Sequence, residues 1–376
     1  SRRRHTRYQS LSRGLGDVYK RQAQAYAAFS PVVSIAGSLS SAHVYRDAFQ
    51  EVDQQALFKP ITKKTWTVTQ TARVPEMFRE AFRTAMTPRR GPVQLNLPRD
   101  VLSEVTGFAD LQPPQSYRSQ NVPVAADDVI RQAAEILRAA ERPVIVTGGG
   151  IKNTGGHADA LALAEALNAP IILAPGHGDA IPFEHPLNAG QMGPRGNVVA
   201  SRLAKEADVI LALGTRLGFN STFYSYDNIN QQAKIIQVEL EATAIGRYFP
   251  ITLGIWADAR ATARQLCAEL GKLEDRAGVD AWTRAFIEER QNYLQQRDAN
   301  AESEAHPIQP SGLYKELRAV LPANAAVTMD AGTLCLQATD ALNYRQPPCL
   351  FTPLDFGLVG FSFACGLGVK LARPDR

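Results

Sequence analysis

The chain has 376 residues, 45% of them hydrophobic and 21% charged, a make-up that fits two or three packed α/β domains. It holds no apolar run long enough to cross a bilayer and no short apolar segment ahead of a small-residue cleavage site, so neither a membrane partner nor secretion is expected and the default location is cytoplasmic. The net charge of +4 is concentrated in residues 1–22, where Arg2, Arg3, Arg4, Arg7, Arg13, Lys20 and Arg21 face Asp17 alone for a net of +6; taking 6 from 4 leaves the remainder at −2.

An arginine cluster of this kind can neutralise phosphates. Residues 1–22 lack helical apolar periodicity, however, and join abruptly to a well-patterned domain, so they are expected to be non-native or disordered, with no nucleic-acid partner. The four cysteines, Cys267, Cys335, Cys349 and Cys365, are too widely spaced for a zinc site or a disulfide framework.

Regular pattern begins at Pro31. Residues 32–37 (VVSIAG) predict a buried strand ending on a glycine turn, and Val74, Met77, Phe78, Ala81, Phe82 and Ala85 predict an amphipathic helix over 74–86. Gly91 and Pro92 break the chain before a strand over 93–98. Strand, helix, strand implies a parallel layer over 23–106, followed by a proline-bearing linker over 107–125.

Beyond it, helices are expected at 129–140, 157–167, 198–205 and 258–271, alternating with strands at 143–147, 170–174, 208–214 and 234–240. Near-continuous apolar strands between helices predict a doubly wound parallel sheet over 126–274. Residues 275–310 are polar and largely helical in pattern and are expected to form a second linker. A third unit over 311–376 starts with a helix at 312–320 and a strand at 325–332, too little to close a sheet. The expected architecture is therefore three doubly wound parallel-sheet domains, with the first and third truncated and the central one complete.

Two loops in the central region point to a ligand. Gly148, Gly149 and Gly150 follow a strand and precede a helix, and Gly214, Thr215 and Arg216 end another strand. On one sheet edge such loops form a nucleotide cleft. A tight turn in any α/β sheet gives the same spacing, so the reading stays open.

Specificity comes from longer segments. DAFQE (47–51), KPITK (59–63), RVPEMFREAF (73–82) and RRGPVQLNLPRDV (89–101) resemble the end of the pyrimidine-binding domain of thiamine-diphosphate enzymes in the acetolactate synthase group, which also includes glyoxylate carboligase and sulfoacetaldehyde acetyltransferase. HPLNAGQMGPRG (185–196), ADVILALGTRLG (207–218), AKIIQVELEATAIGRYF (233–249) and LGIWADA (253–259) resemble the family's central domain. VTMDAG (327–332) and FGLVGFSFACGLGVKLARPD (356–375) resemble the opening of its diphosphate-binding domain.

The resemblance implies roles residue by residue. Phe49 and Gln50 would line the cofactor and substrate channel, and Lys63 would be a basic residue near it. Gly357 would hold the aminopyrimidine, and Val359, smaller than the family's usual methionine or leucine, would prop the cofactor in its bent form. Gly332 and Thr333 would meet the diphosphate; Leu334 and Cys335 replace polar residues usual there. Gly148, Gly149, Gly214 and Arg216 would bind a nucleotide such as FAD, although Leu217 and Gly218 replace the polar residues common after the arginine.

The family's activating glutamate would fall before Pro31, and its Gly-Asp-Gly magnesium site after Arg376. The 376-residue chain is accordingly expected to be an inactive fragment whose Mg2+ ligands are missing. The whole protein would use thiamine diphosphate on a small 2-oxo acid or aldehyde, as a homodimer or homotetramer. LNLPRD and ALGTRLG lean toward the acetyltransferase, KPITK, RVPEMF and IGRYF toward the carboligase. A non-catalytic nucleotide-binding module is the alternative of another class.

Overall fold

The computed structural model describes residues 20–107, 111–274, 276–301 and 306–376. The expectations for residues 1–19 lie outside them. Residues 20–22 belong to a helix, with Gln22 buried and its Nε2 3.5 Å from the Val93 carbonyl. The described residues fall into two compact units, those within Ser1–Asn121 together with Asp355–Leu358, and those within Val122–Leu354 together with Val359–Arg376.

The first unit carries helices α1 (20–27), α2 (Gln54–Phe58), α3 (Val74–Met86) and α4 (Arg99–Ser103) around strands β1 (Val33–Ser38), β2 (Lys64–Thr67) and β3 (Val93–Pro98). The three strands are parallel, in the order β1-β3-β2, with both Val33 and Lys64 in register with Val93. Central β3 is buried along its whole length. Val93, Leu95 and Leu97 join Ala81 and Ala85 of α3 in one core, which explains the helical spacing of small apolar residues in that helix.

In the second unit, helices α5 (Asp127–Arg138), α6 (Gly149–Thr154), α7 (His157–Leu167), α8 (Val198–Glu206), α9 (Phe219–Thr222), α10 (Ala259–Leu270), α11 (Ala277–Asn300), α12 (Pro310–Val320), α13 (Thr333–Ala341) and α14 (Phe361–Ala372) accompany eight strands. Six of these, β4 (Pro143–Thr147), β5 (Ile171–Leu173), β6 (Asn188–Gln191), β7 (Val209–Leu213), β8 (Lys234–Glu239) and β9 (Leu253–Trp256), form one parallel sheet in the order β6-β5-β4-β7-β8-β9. β10 (Val327–Thr328) and β11 (Leu350–Phe351) form a separate parallel pair.

The alternation of side chains along β4 and β7 explains their unbroken apolar sequences. Ile145, Val209, Leu211 and Leu213 point into a core that also takes residues of α5, α7 and α10. Val144, Val146, Ile210 and Ala212 point into a second, shared with α8 and α11. A strand buried on both faces has no polar side to show.

Several elements depart from their expected form. The segment over 275–310, expected to be largely helical, holds the 24-residue α11, but its Trp282 and Phe286 lie in the second core. β6 and β9 were not expected: Gly190, with φ 81°, interrupts the apolar pattern of one, and Gly254 that of the other. β2 was not expected either, because its KTWT sequence carries a single large apolar side chain. The strand expected over 325–332 is only two residues long. The remaining residues turn toward α13 because Gly332 takes a φ of 141° immediately before that helix.

Candidate cofactor sites

In the six-stranded sheet the chain moves from β4 outward to β6, then returns to lay β7 on the other side of β4. The two expected glycine loops therefore leave adjacent strands at the point where the winding reverses. At such a point in an open parallel sheet the loops diverge and leave a crevice at the carboxyl ends of the strands.

The glycines are needed there for backbone contact. A Cβ on Gly150 would lie 2.5 Å from the Cα of Gly214, and one on Gly148 would lie 2.9 Å from the Gly214 carbonyl oxygen. The Gly150 amide donates to that carbonyl at 2.9 Å, and Gly214 sits at φ 67°. Gly149 has more room, and a Cβ on it would face the His177 ring at 3.3 Å. Burial, reinforced by the positive charges of Lys152 and Arg216 and opposed by Asp179, lowers the His177 pKa to about 4, so its ring is neutral at pH 7.

Behind this crevice, fully buried Asp179 accepts Lys152 Nζ at 3.0 Å and the backbone amides of Cys349 and Leu350 at 2.8 Å each. Lys152 also donates to the Leu350 carbonyl. One carboxylate thus ties α6 of the large sheet to β11 of the small one. Neither residue stands out in the sequence, because a lone lysine and a lone aspartate 27 positions apart carry no pattern.

The expected diphosphate residues lie at the end of β10. Gly332 caps α13 and Thr333 opens it, exposed. Asp330, two residues earlier, accepts the Ser362 amide at 2.7 Å at the start of α14. Burial works against its charge, but hydrogen bonds from Ser362, Gly360 and Phe361 outweigh it and hold the carboxyl below its usual range. The site reading did not include Asp330 or Ser362; the DAG run at 330–332 was the available signal. Val359 is exposed, and no atom lies within 4 Å of the Cβ position of Gly332 or of Gly357.

The first unit places its expected residues apart in kind. Phe49 is 86% exposed, and Gln50 adopts φ 64° in a loop where Tyr45 and Asp47 also have positive φ. Glu51 holds this loop by accepting the amides of Tyr45, Arg46 and Ala48; those bonds lower its pKa. Lys63 donates to the carbonyls of Thr84, Thr87 and Arg89 at 2.8–2.9 Å, stitching the end of α3 to the following turn. It also borders a cavity of about 480 Å3 with Asp53, Gln55, Lys59 and Lys64.

The four cysteines are free thiols. Among the described residues no group of three or more His, Cys, Asp and Glu side chains could hold a metal ion, and no helix is long and apolar enough to cross a membrane.

The sheet order and reversal point define an α/β protein of the doubly wound type. Residues 130–266 match the family model for the thiamine pyrophosphate enzyme central domain. It is similar to sulfoacetaldehyde acetyltransferase from Castellaniella defragrans, with 31% identity over 96% of this chain and 63% of that protein. The corresponding figures are 32%, 94% and 62% for sulfoacetaldehyde acetyltransferase from Alcaligenes xylosoxydans xylosoxydans. For a probable acetolactate synthase large subunit from Methanocaldococcus jannaschii they are 30%, 94% and 60%. The chain thus spans about three-fifths of the length of the curated relatives it matches.

Proposed function

We propose that this chain is part of an enzyme that breaks the carbon–sulfur bond of sulfoacetaldehyde, releasing sulfite, and transfers the two remaining carbons as an acetyl group to phosphate. The observation that carries this reading is the similarity to sulfoacetaldehyde acetyltransferases along 94–96% of the chain. Thiamine diphosphate, when bound, would supply a thiazolium that takes up the electron pair left by loss of the aldehyde proton, so that sulfite can depart with the pair of the carbon–sulfur bond.

The residues fit that cofactor in part. Gly332 and Thr333 present a hydroxyl and the amide end of nine-residue α13, a favourable place for a diphosphate, while Asp330 fixes the start of α14 beside the same strand end. Val359 would support the thiazolium and Gly357 the aminopyrimidine. Phe49 and Gln50 would contact substrate from their exposed loop. Lys63, with its ammonium on three carbonyls, would support the fold of that region. Mg2+ would accompany the diphosphate, and we assign it no ligand among the described residues.

For the central crevice we favour a scaffold role over FAD binding. The contacts among Gly148, Gly150 and Gly214 account for the glycines by backbone packing alone, and the Gly150 amide is already bonded. A dimer or tetramer is part of the proposal, since the loop bearing Phe49 and the outer face of α14 leave large apolar side chains exposed.

The test is a substrate panel on a full-length reading frame containing this sequence, supplied with thiamine diphosphate and Mg2+. Acetyl phosphate and sulfite should form from sulfoacetaldehyde and phosphate. Acetolactate from pyruvate, with no reaction of sulfoacetaldehyde, would replace this reading by a carboligase. Saturable binding of FAD would refute the scaffold role of the crevice.

A further inference from the structure

We propose that Arg290 anchors a binding site for a small inorganic monoanion of chloride size, enclosed by α11, α13 and the end of β6. Arg290 is only 6% exposed, yet its Nη1 has no hydrogen-bond partner, and no hydrogen bond or ion pair among the described residues reaches its side chain. A guanidinium taken out of water without a partner is strongly unfavourable.

The surroundings explain why no protein group accepts its N–H donors. The guanidinium carbon lies 5.5 Å from the ring centres of both Phe183 and Tyr293, whose faces attract the cation without accepting its N–H groups. Asp340 is the nearby carboxylate, but Oδ1 accepts Asn197 Nδ2 and Oδ2 accepts the Tyr293 hydroxyl, each at 2.8 Å. Burial and the Asp340 charge keep that tyrosine protonated, so it remains a donor.

The guanidinium carbon of Arg297, one heptad along α11, lies 5.6 Å from the Phe183 ring centre, and its Nη1 is likewise buried and unpartnered. Its Nε shares Asp298 with Arg318. Three guanidinium groups, of Arg290, Arg297 and Arg318, therefore face two carboxylates, of Asp298 and Asp340, leaving one positive charge in excess.

Space at the site depends on Gly190. A Cβ there would crowd Asn197 Nδ2, lie 2.9 Å from Asp340 Oδ1 and touch Arg290 Nη2 at 3.4 Å. The strand end is held in this shape by Asn188, whose Oδ1 accepts the Gly190 amide at 2.8 Å. An anion bound here would join α11 to the large sheet, so its effect should appear in stability.

The experiment compares thermal unfolding of the 376-residue chain and its Arg290→Met variant in chloride and in gluconate at equal ionic strength, which holds general screening constant. Chloride should raise the wild-type midpoint by about 3 °C or more, through binding to the folded state alone. Arg290→Met should show no chloride effect and, in gluconate, a midpoint equal to or above that of the wild type, because an apolar side chain replaces an unpaired charge. A chloride shift absent from the wild type or retained in the variant would overturn the proposal. So would a variant that unfolds earlier in gluconate or fails to fold, since Arg290 would then stabilise the fold without an anion. Bromide-soaked crystals of the wild type give a second check: an anomalous peak beside Arg290 Nη1 is expected, and its absence at full soak would contradict the site.

Discussion

β7 and α14 are both largely apolar, but they meet opposite fates. All five residues of β7 are buried between two cores, whereas α14 buries none of its twelve. Val359, just before α14, and Phe363, Leu367 and Leu371 within it recur every four residues and are all more than half exposed. Hydrophobic sequence is a demand for a partner, and burial records only whether one is present. The same composition thus marks a finished core in one place and an exposed apolar face in the other.

Breaking the buried side of that comparison should have the largest effects. Asp179→Ala leaves Lys152 and two backbone amides without their carboxylate, and should lower unfolding free energy by about 3–5 kcal/mol in a denaturant titration. Leu211→Ala, in the centre of β7, should cost about 2–5 kcal/mol by the same measurement through lost burial and a cavity.

His177 sharpens the comparison by adding pH. Its folded pKa, about 4, lies below the unfolded value of 6.5, so the unfolded state takes up the proton first as pH falls. Stability contributed by the neutral ring is fully present above pH 6.5 and is lost as pH drops toward 4. Equilibrium unfolding should show a loss of roughly 1–3 kcal/mol across that window, diminished in His177→Gln. On the exposed side, Phe363→Ser should change unfolding free energy by less than about 0.5 kcal/mol while reducing self-association in light scattering.

The sequence revealed most where one physical requirement controlled several residues. Two-sided burial made β4 and β7 near-continuous apolar runs, and the Gly91–Pro92 break located β3. It revealed little where the requirement was tertiary. α11 reads as polar because its charged and amide residues outnumber the few, chiefly Trp282 and Phe286 with Ile287 and Tyr293 beside them, that seat it in the core. At the candidate sites the glycine loops were legible from spacing, and the structure adds the reason for Gly148, Gly150 and Gly214: backbones meet there. Lys63 was legible as a cation but not as a clamp on the end of α3, since carbonyl acceptors leave no trace in side-chain sequence. Asp179 and Arg290 were invisible for the same reason, because their partners or lack of them depend on segments far along the chain.

The proposal that this chain is part of a thiamine-diphosphate enzyme is tested most directly by calorimetric titration of the cofactor, with Mg2+, into a full-length reading frame containing this sequence. Saturable binding is expected, weakened at least about tenfold by a Gly332→Val substitution at the amide end of α13. Absence of binding heat across several temperatures, or affinity unchanged by that substitution, would contradict the assignment of this strand end to the cofactor.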